Sequence, residues 1–132
     1  MNRNLKIVAA ITVIVIATVT VYGALTYPRT VLTFPVSFTI GADVEREQFD
    51  IPFLNDWVQV EVTINSGSAL WTAKILNQEE TFWSHSATQG GQTTYNSGWI
   101  KIASGNYNFT CATMGVGSLS AEITVTSKGA FW

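Results

Sequence analysis

Val58-Gln59-Val60-Glu61-Val62-Thr63-Ile64, at residues 58–64, alternates a β-branched apolar side chain with a polar one. Successive side chains of a strand point to opposite faces, so this run reads as a half-buried strand with its three valines and Ile64 toward a core. Asn65-Ser66-Gly67-Ser68 supplies a turn, and Ala69-Leu70-Trp71-Thr72-Ala73-Lys74-Ile75 follows with Trp71, Ala73 and Ile75 on one parity. Two such runs about a short polar turn predict a β-hairpin.

The same alternation extends in both directions. Upstream, Phe34, Val36, Phe38 and Ile40 share a parity, with Pro35, Ser37 and Thr39 on the other. Downstream, 99–102 leads through Ser104-Gly105-Asn106 into Tyr107, Phe109, Cys111 and Thr113. Gly115-Val116-Gly117 then turns the chain into Leu119, Ala121, Ile123 and Val125, which predicts a meander. With 49–53 and 81–85 as weaker candidates, about eight short strands result, the spacing of an all-β antiparallel sandwich of jelly-roll or Ig-like type. The expected core is Phe34, Val36, Phe38, Ile40, Val58, Val60, Val62, Ile64, Trp71, Ile75, Tyr107, Phe109, Leu119, Ile123 and Val125.

Ahead of the strands lies a segment of another kind. Ile7 to Leu25 is an uncharged run; as a helix at ~1.5 Å per residue it covers about 28 Å, close to the ~30 Å hydrocarbon core of a bilayer. Arg3 and Lys6 precede it and Arg29 is the first charge after it, so the positive-inside bias puts the short N-terminus in the cytoplasm. A cleaved signal peptide is the competing reading, with Gly23 and Ala24 as small residues, but Val21 and Tyr22 make mediocre −3 positions and the apolar run exceeds the usual ~7–15. A retained anchor is the preferred one. The expected organisation is a cytoplasmic stub at 1–6, a transmembrane signal anchor at 7–25, an extended connector at 26–33 around Pro28, and an extracytoplasmic β-sandwich at 34–132 of a single-pass cell-membrane protein.

Only 12% of the 132 residues are charged, about half the share in an ordinary soluble domain. Beyond residue 24 there are five basic and nine acidic side chains, a formal net charge of −4, which argues against nucleic acid as a partner. One cysteine excludes an intramolecular disulfide, and one histidine excludes a His-rich metal centre. No nucleophile elbow, phosphate loop or dinucleotide fingerprint is present, so neither catalysis nor a cofactor is expected. Cys111 shares parity with Tyr107 and Phe109 and reads as a buried small side chain. Asp43, Glu45 and Glu47 share parity, with Asp50 close by, and such an oxygen cluster suits calcium. The plainer reading is a solvated edge strand, since no Asp-x-Asp-x-Asp-Gly loop occurs, and no metal is expected.

Five tryptophans are the informative excess. Trp71 faces inward by parity, whereas Trp57 falls with Gln59 and Glu61, and Trp99 with Lys101, opposite the aliphatic rows. Trp57, Trp99, Trp83, Phe131 and Trp132 form the candidate binding surface, for a protein partner or for stacking on a glycan. Phe131 and Trp132 are expected to dock on the membrane-proximal connector or a neighbouring subunit. Asn108-Phe109-Thr110 is a sequon whose Asn108 points away from the core, a candidate glycosylation site.

The stretch Ser104-Gly105-Asn106-Tyr107-Asn108-Phe109-Thr110-Cys111, followed by a last strand, resembles the end of GOLD-type (Golgi dynamics) β-sandwiches. That resemblance implies a domain outside the membrane that binds protein partners. The layout is similar to small signal-anchored surface proteins of archaea. The functional expectation is a membrane-anchored, non-catalytic protein-interaction or accessory module; a carbohydrate-binding module and a self-assembling surface subunit are the alternatives.

Overall fold

The computed structural model describes residues 2–38, 43–67, 70–78, 80–88, 93–114, 118–130 and 132. Among the described residues one helix, α1 (Arg3–Thr26), precedes eight strands: β1 (Arg29–Phe38), β2 (Asp43–Ile51), β3 (Trp57–Gly67), β4 (Leu70–Asn77), β5 (Glu80–Thr88), β6 (Thr93–Lys101), β7 (Gly105–Met114) and β8 (Leu119–Lys128). Asn2 caps α1 by accepting the Asn4 N–H at 2.8 Å, the service an N-cap side chain renders to an unpaired donor. Thr12, Thr18 and Thr20 turn their hydroxyls onto carbonyls four residues back, so these polar groups are satisfied within the helix itself. α1 is long and apolar enough to cross a membrane.

Two four-stranded antiparallel sheets make the sandwich, in the orders β1-β8-β3-β6 and β2-β7-β4-β5. This interleaving of two Greek keys is a jelly roll, and it resolves the two sandwich types left open by the strand count. The expected hairpin between β3 and β4 does not form, because the two strands lie in different sheets. Gly67, at φ +131°, carries the chain across; a Cβ there would sit 2.3 Å from the Ser118 carbonyl oxygen. The expected meander of β6, β7 and β8 is likewise replaced by strands that alternate between sheets. A hairpin and an arch across the core bury the same parity, so alternation alone cannot separate them.

Inward rows from both sheets meet in one core. Of the residues expected there, Phe34, Val36, Phe38, Val58, Val60, Val62, Ile64, Trp71, Ile75, Tyr107, Phe109, Leu119, Ile123 and Val125 are buried, and Ile40 lies outside the described residues. Phe34 meets Phe109 edge-on across the sheets at 6.4 Å. Leu32, Phe49, Ile51 and Ile102 extend the core toward the helix end.

The connector is shorter than expected. Pairing begins at Arg29 with Ser127, and a one-residue bulge at Val31 restores register before Leu32 meets Val125. Only Tyr27 and Pro28 separate helix from strand. The ten-residue β8 offers a partner for every residue of β1 except Val31, and Pro35 is tolerated because β1 is an edge strand.

Ile123 is fully buried in β8, the strand between β1 and β3. Ile123→Asp removes about 1.5–3 kcal/mol of apolar burial and leaves a carboxylate without water. The variant is expected not to fold; circular dichroism showing a melt like that of the parent would contradict the core placement.

Candidate binding surfaces and the helix joint

An α-helix ends with carbonyl groups that have no partner within the helix. At the end of α1 the sandwich supplies partners in succession. The Arg29 guanidinium donates to the Ala24 carbonyl, the Asn55 amide to that of Leu25 at 2.7 Å, and the Gly129 N–H to that of Thr26 at 2.9 Å. A cation at this terminus also complements the helix dipole. Asn55 is fully buried; its amide also donates to the Phe53 carbonyl at 3.1 Å, and its oxygen accepts from Ser127 at 3.3 Å. Gly129 fits because a Cβ there would lie 2.4 Å from that of Thr26.

Trp132 closes the joint from the other end of the chain. Its indole N–H donates to the Thr26 hydroxyl at 2.9 Å, that hydroxyl donates to the Tyr22 carbonyl at 2.7 Å, and its ring meets Tyr27 edge-on at 5.2 Å. Phe131 lies outside the described residues.

The remaining tryptophans serve three different places. Trp71 is fully buried, and its indole nitrogen has no hydrogen-bond partner. Trp83 is half-buried on β5, beside a stack of His85 on Tyr95 with ring centroids 3.8 Å apart. Since β5 and β6 are the last strands of the two sheets, these rings fill the gap along that side of the sandwich. Trp57 and Trp99 lie on the outer face of the β1-β8-β3-β6 sheet. Trp57 stands between Lys128 on β8 and Lys101 on β6, and the Lys128 ammonium lies 4.3 Å from the Trp99 ring centroid, a cation–π contact. Thus the four described members of the expected binding surface do not share one: Trp57 and Trp99 do, Trp83 fills an inter-sheet edge, and Trp132 holds the joint.

A bulge in β6 puts Trp99 where it is. Ser97 and Gly98 together oppose Val60, Gly98 adopts φ +70°, and the Ser97 hydroxyl accepts the Val60 N–H at 2.8 Å in place of a carbonyl. The extra residue reverses parity between inward Tyr95, opposite Val62, and outward Trp99, opposite Gln59.

Asp50 does not share a face with Glu45 and Glu47. Glu45 and Glu47 oppose inward Cys111 and Phe109, whereas Asp50 opposes Asn106 with the outward parity. Asp43 opens β2 opposite Thr113. Among the described residues no group of three or more His, Cys, Asp or Glu is placed to hold a metal ion. Cys111 is buried and unpaired; burial, and then the charge of Glu45, push its thiol up from 9.0 to about 12, which removes the thiolate at neutral pH.

Asn108 lies on the outer face of β7, between Gln48 of β2 and Leu76 of β4. With Gln48, Asp50, Asn77, Gln78 and Asn106 it rims a depression of about 410 Å³ that Phe49 and Tyr107 also line. Tyr107 is held by donating to the Ala103 carbonyl at 2.7 Å. The sequence reading missed this amide cluster because its members come from three strands and a turn. It also missed Asn55 and Gly129, whose roles exist only once α1 meets the sandwich.

No protein-family model matches the chain, and no curated protein matches it by sequence. Among solved structures it is similar to a carbohydrate-binding module of Cellvibrio mixtus lichenase 5A in complex with cellotriose, at 16% identity over 76% of this chain and 86% of that one, with a TM-score of 0.47. A subunit of Bacillus endospore appendages, described as disulfide-linked pili, aligns at 7% identity over 80% of this chain and 91% of that one, with a TM-score of 0.42. The infectious bursal disease virus VP2 subviral particle aligns at 11% over 78% and 33%, with a TM-score of 0.45.

Asn55→Ala deletes three hydrogen bonds and leaves the Leu25 carbonyl without its donor. A loss of about 1–3 kcal/mol is expected, read as a lower melting temperature, while Asn65→Ala on the exposed end of β3 leaves the melt unchanged. Equal melting temperatures for Asn55→Ala and the parent would contradict the capping role.

Proposed function

We propose that this chain is a membrane-anchored, non-catalytic interaction module. α1 crosses the bilayer, residues 1–6 stay in the cytoplasm, and the jelly roll stands outside on the end of the helix. The observation that carries this reading is the joint: the last three carbonyls of an apolar helix are each met by the sandwich. A module hung on a loose linker needs no such contacts, whereas one that presents a face at a set angle to a membrane does. The face it presents to a protein partner is the outer side of the β1-β8-β3-β6 sheet, where Trp57 and Trp99 stand with Lys101 and Lys128. Tryptophan is a favoured residue of interface hot spots, and the lysines beside it suit the polar rim around one. Catalysis has little to rest on, with the Cys111 thiol pushed up to about 12 and His85 stacked against Tyr95.

A second reading, glycan binding, is favoured by the amide-rimmed depression, whose paired donors and acceptors suit sugar hydroxyls. The discriminating experiment places a photo-crosslinking amino acid at Trp99, at Asn77 and, as a control, at Ser84 in the full chain in its native membrane. The expected result is a discrete protein adduct from position 99 alone. Adducts with glycan from position 77, and none from 99, would replace the protein reading with the sugar one.

A further inference from the structure

The turn between β2 and β3 shows three features that the sandwich itself does not require. Asn55 N–H donates to the Pro52 carbonyl at 3.0 Å, which puts Phe53 and Leu54 at the two central positions of a β-turn. Leu54 adopts φ +68°, a left-handed conformation that ordinarily goes to glycine or asparagine at that position and costs a branched side chain energy. Phe53 at the tip is 73% exposed, more than any other large hydrophobic side chain among the described residues, those of α1 included.

The position of this turn explains the pair. Leu54 faces α1, and with Ala17, Thr18, Val21, Tyr22 and Leu25 it lines an almost wholly apolar hollow of about 400 Å³. The next amide, Asn55, reaches the Leu25 carbonyl. Leu54 therefore lies level with the last turns of the helix, beside residues that belong to its apolar run. A second hollow, of about 350 Å³, adjoins the turn and mixes Tyr22, Phe53 and Leu54 with the polar Asn55, Asp56 and Ser104. The turn thus has apolar residues toward α1, and polar ones join them only in the second hollow. Tyr22, Tyr27 and Trp132 surround the helix exit at the same level and are each more than a third exposed, the residue types that gather at membrane–water interfaces.

We propose that the Phe53-Leu54 turn is a second membrane contact, with Phe53 inserted among the lipids beside α1 and a phospholipid acyl chain lying in the hollow between Leu54 and the helix. The inference rests on α1 spanning the bilayer: if Val21 to Leu25 lie in the outer leaflet, Leu54 and Phe53 have no water to face. Lipid is the occupant that continuity with the helix selects, because the hollow is a side of the spanning segment itself. Insertion of Phe53 recovers the apolar burial it forgoes in water and supplies the reason for holding Leu54 in a left-handed conformation. Two attachments, helix and turn, also restrain the tilt of the sandwich against the membrane plane.

The test uses the full chain carrying Cys111→Ala in nanodiscs of palmitoyl-oleoyl-phosphatidylcholine. Single nitroxide labels are attached at Phe53→Cys, Leu54→Cys, Ile14→Cys within α1 and Ser84→Cys on the outer face of β5, and a melting curve verifies that each variant is folded. Collision with oxygen, which concentrates in lipid, is compared with collision with a water-soluble nickel chelate. The expected result is an oxygen-to-nickel ratio at 53 and 54 several-fold above that at Ser84, with Phe53 about 5–10 Å into the headgroup and acyl boundary. A water-like ratio at 53 or 54 together with a lipid-like one at Ile14 overturns the inference and leaves the anchor standing. A water-like ratio at Ile14 overturns the anchor itself, and the inference with it.

Discussion

The carbonyl groups at the end of α1 need partners, and nearly every unusual residue near that end is explained by supplying them. A terminal carbonyl in water finds a solvent donor; one at the edge of an apolar environment does not, and leaving it unmet costs a large part of a hydrogen bond. Here Arg29 reaches back from the first strand, Asn55 from the β2–β3 turn, and Gly129 from the end of the last strand. Three separated parts of the sequence converge on one helical turn. The jelly roll makes this possible because it brings the start of β1, the start of β3 and the end of β8 to the same end of one sheet.

That convergence has a consequence for the rest of the sandwich. Once β1 leaves the helix after only two intervening residues, its direction is tied to the helix axis, and β8 and β3 follow through pairing along nearly their full lengths. The outer face bearing Trp57 and Trp99 is a continuation of those strands, so its angle to the helix is set by hydrogen bonds and not by a linker. In the proposed setting at a membrane, this converts a generic sandwich into a surface of defined height and orientation. Lys128 joins the two regions, since its ammonium lies over Trp99 while its carbonyl accepts the Asp56 N–H at 3.1 Å.

Strand parity made much of the fold legible. Val58 to Ile64, Tyr107 with Phe109, and Leu119 to Val125 declare their inward rows because one face is apolar and the other is not. What parity does not carry is which strand lies beside which. Both a hairpin and an arch would bury Trp71 and Ile75 opposite the valines, and only the pairing partners of β3 and β4, which belong to different sheets, show that the chain crosses the core. Bulges hide in the same way. Counting from Tyr95 sends Trp99 inward; counting back from Lys101 sends it outward, and the Ser97-Gly98 bulge makes the second count the right one. The joint was least legible, because Asn55 and Gly129 look like ordinary loop residues until the helix they cap is beside them. Trp132 is expected on the connector at 26–33 or on a neighbouring subunit and meets Thr26 and Tyr27, but nothing in the sequence marks the Thr26 hydroxyl as its acceptor.

Hydrogen bonds from Arg29, Asn55 and Gly129 make helix and sandwich one rigid unit. That rigidity is tested most directly by the distance distribution between two spin labels, one at Ile11→Cys in α1 and one at Lys74→Cys on β4, in the Cys111→Ala chain embedded in lipid nanodiscs and measured by double electron–electron resonance. A single narrow distribution, broadened when Asn55→Ala is added, is the expected result. A broad distribution in the parent, unchanged by Asn55→Ala, would mean that the sandwich swings freely on Tyr27 and Pro28 and would contradict the account.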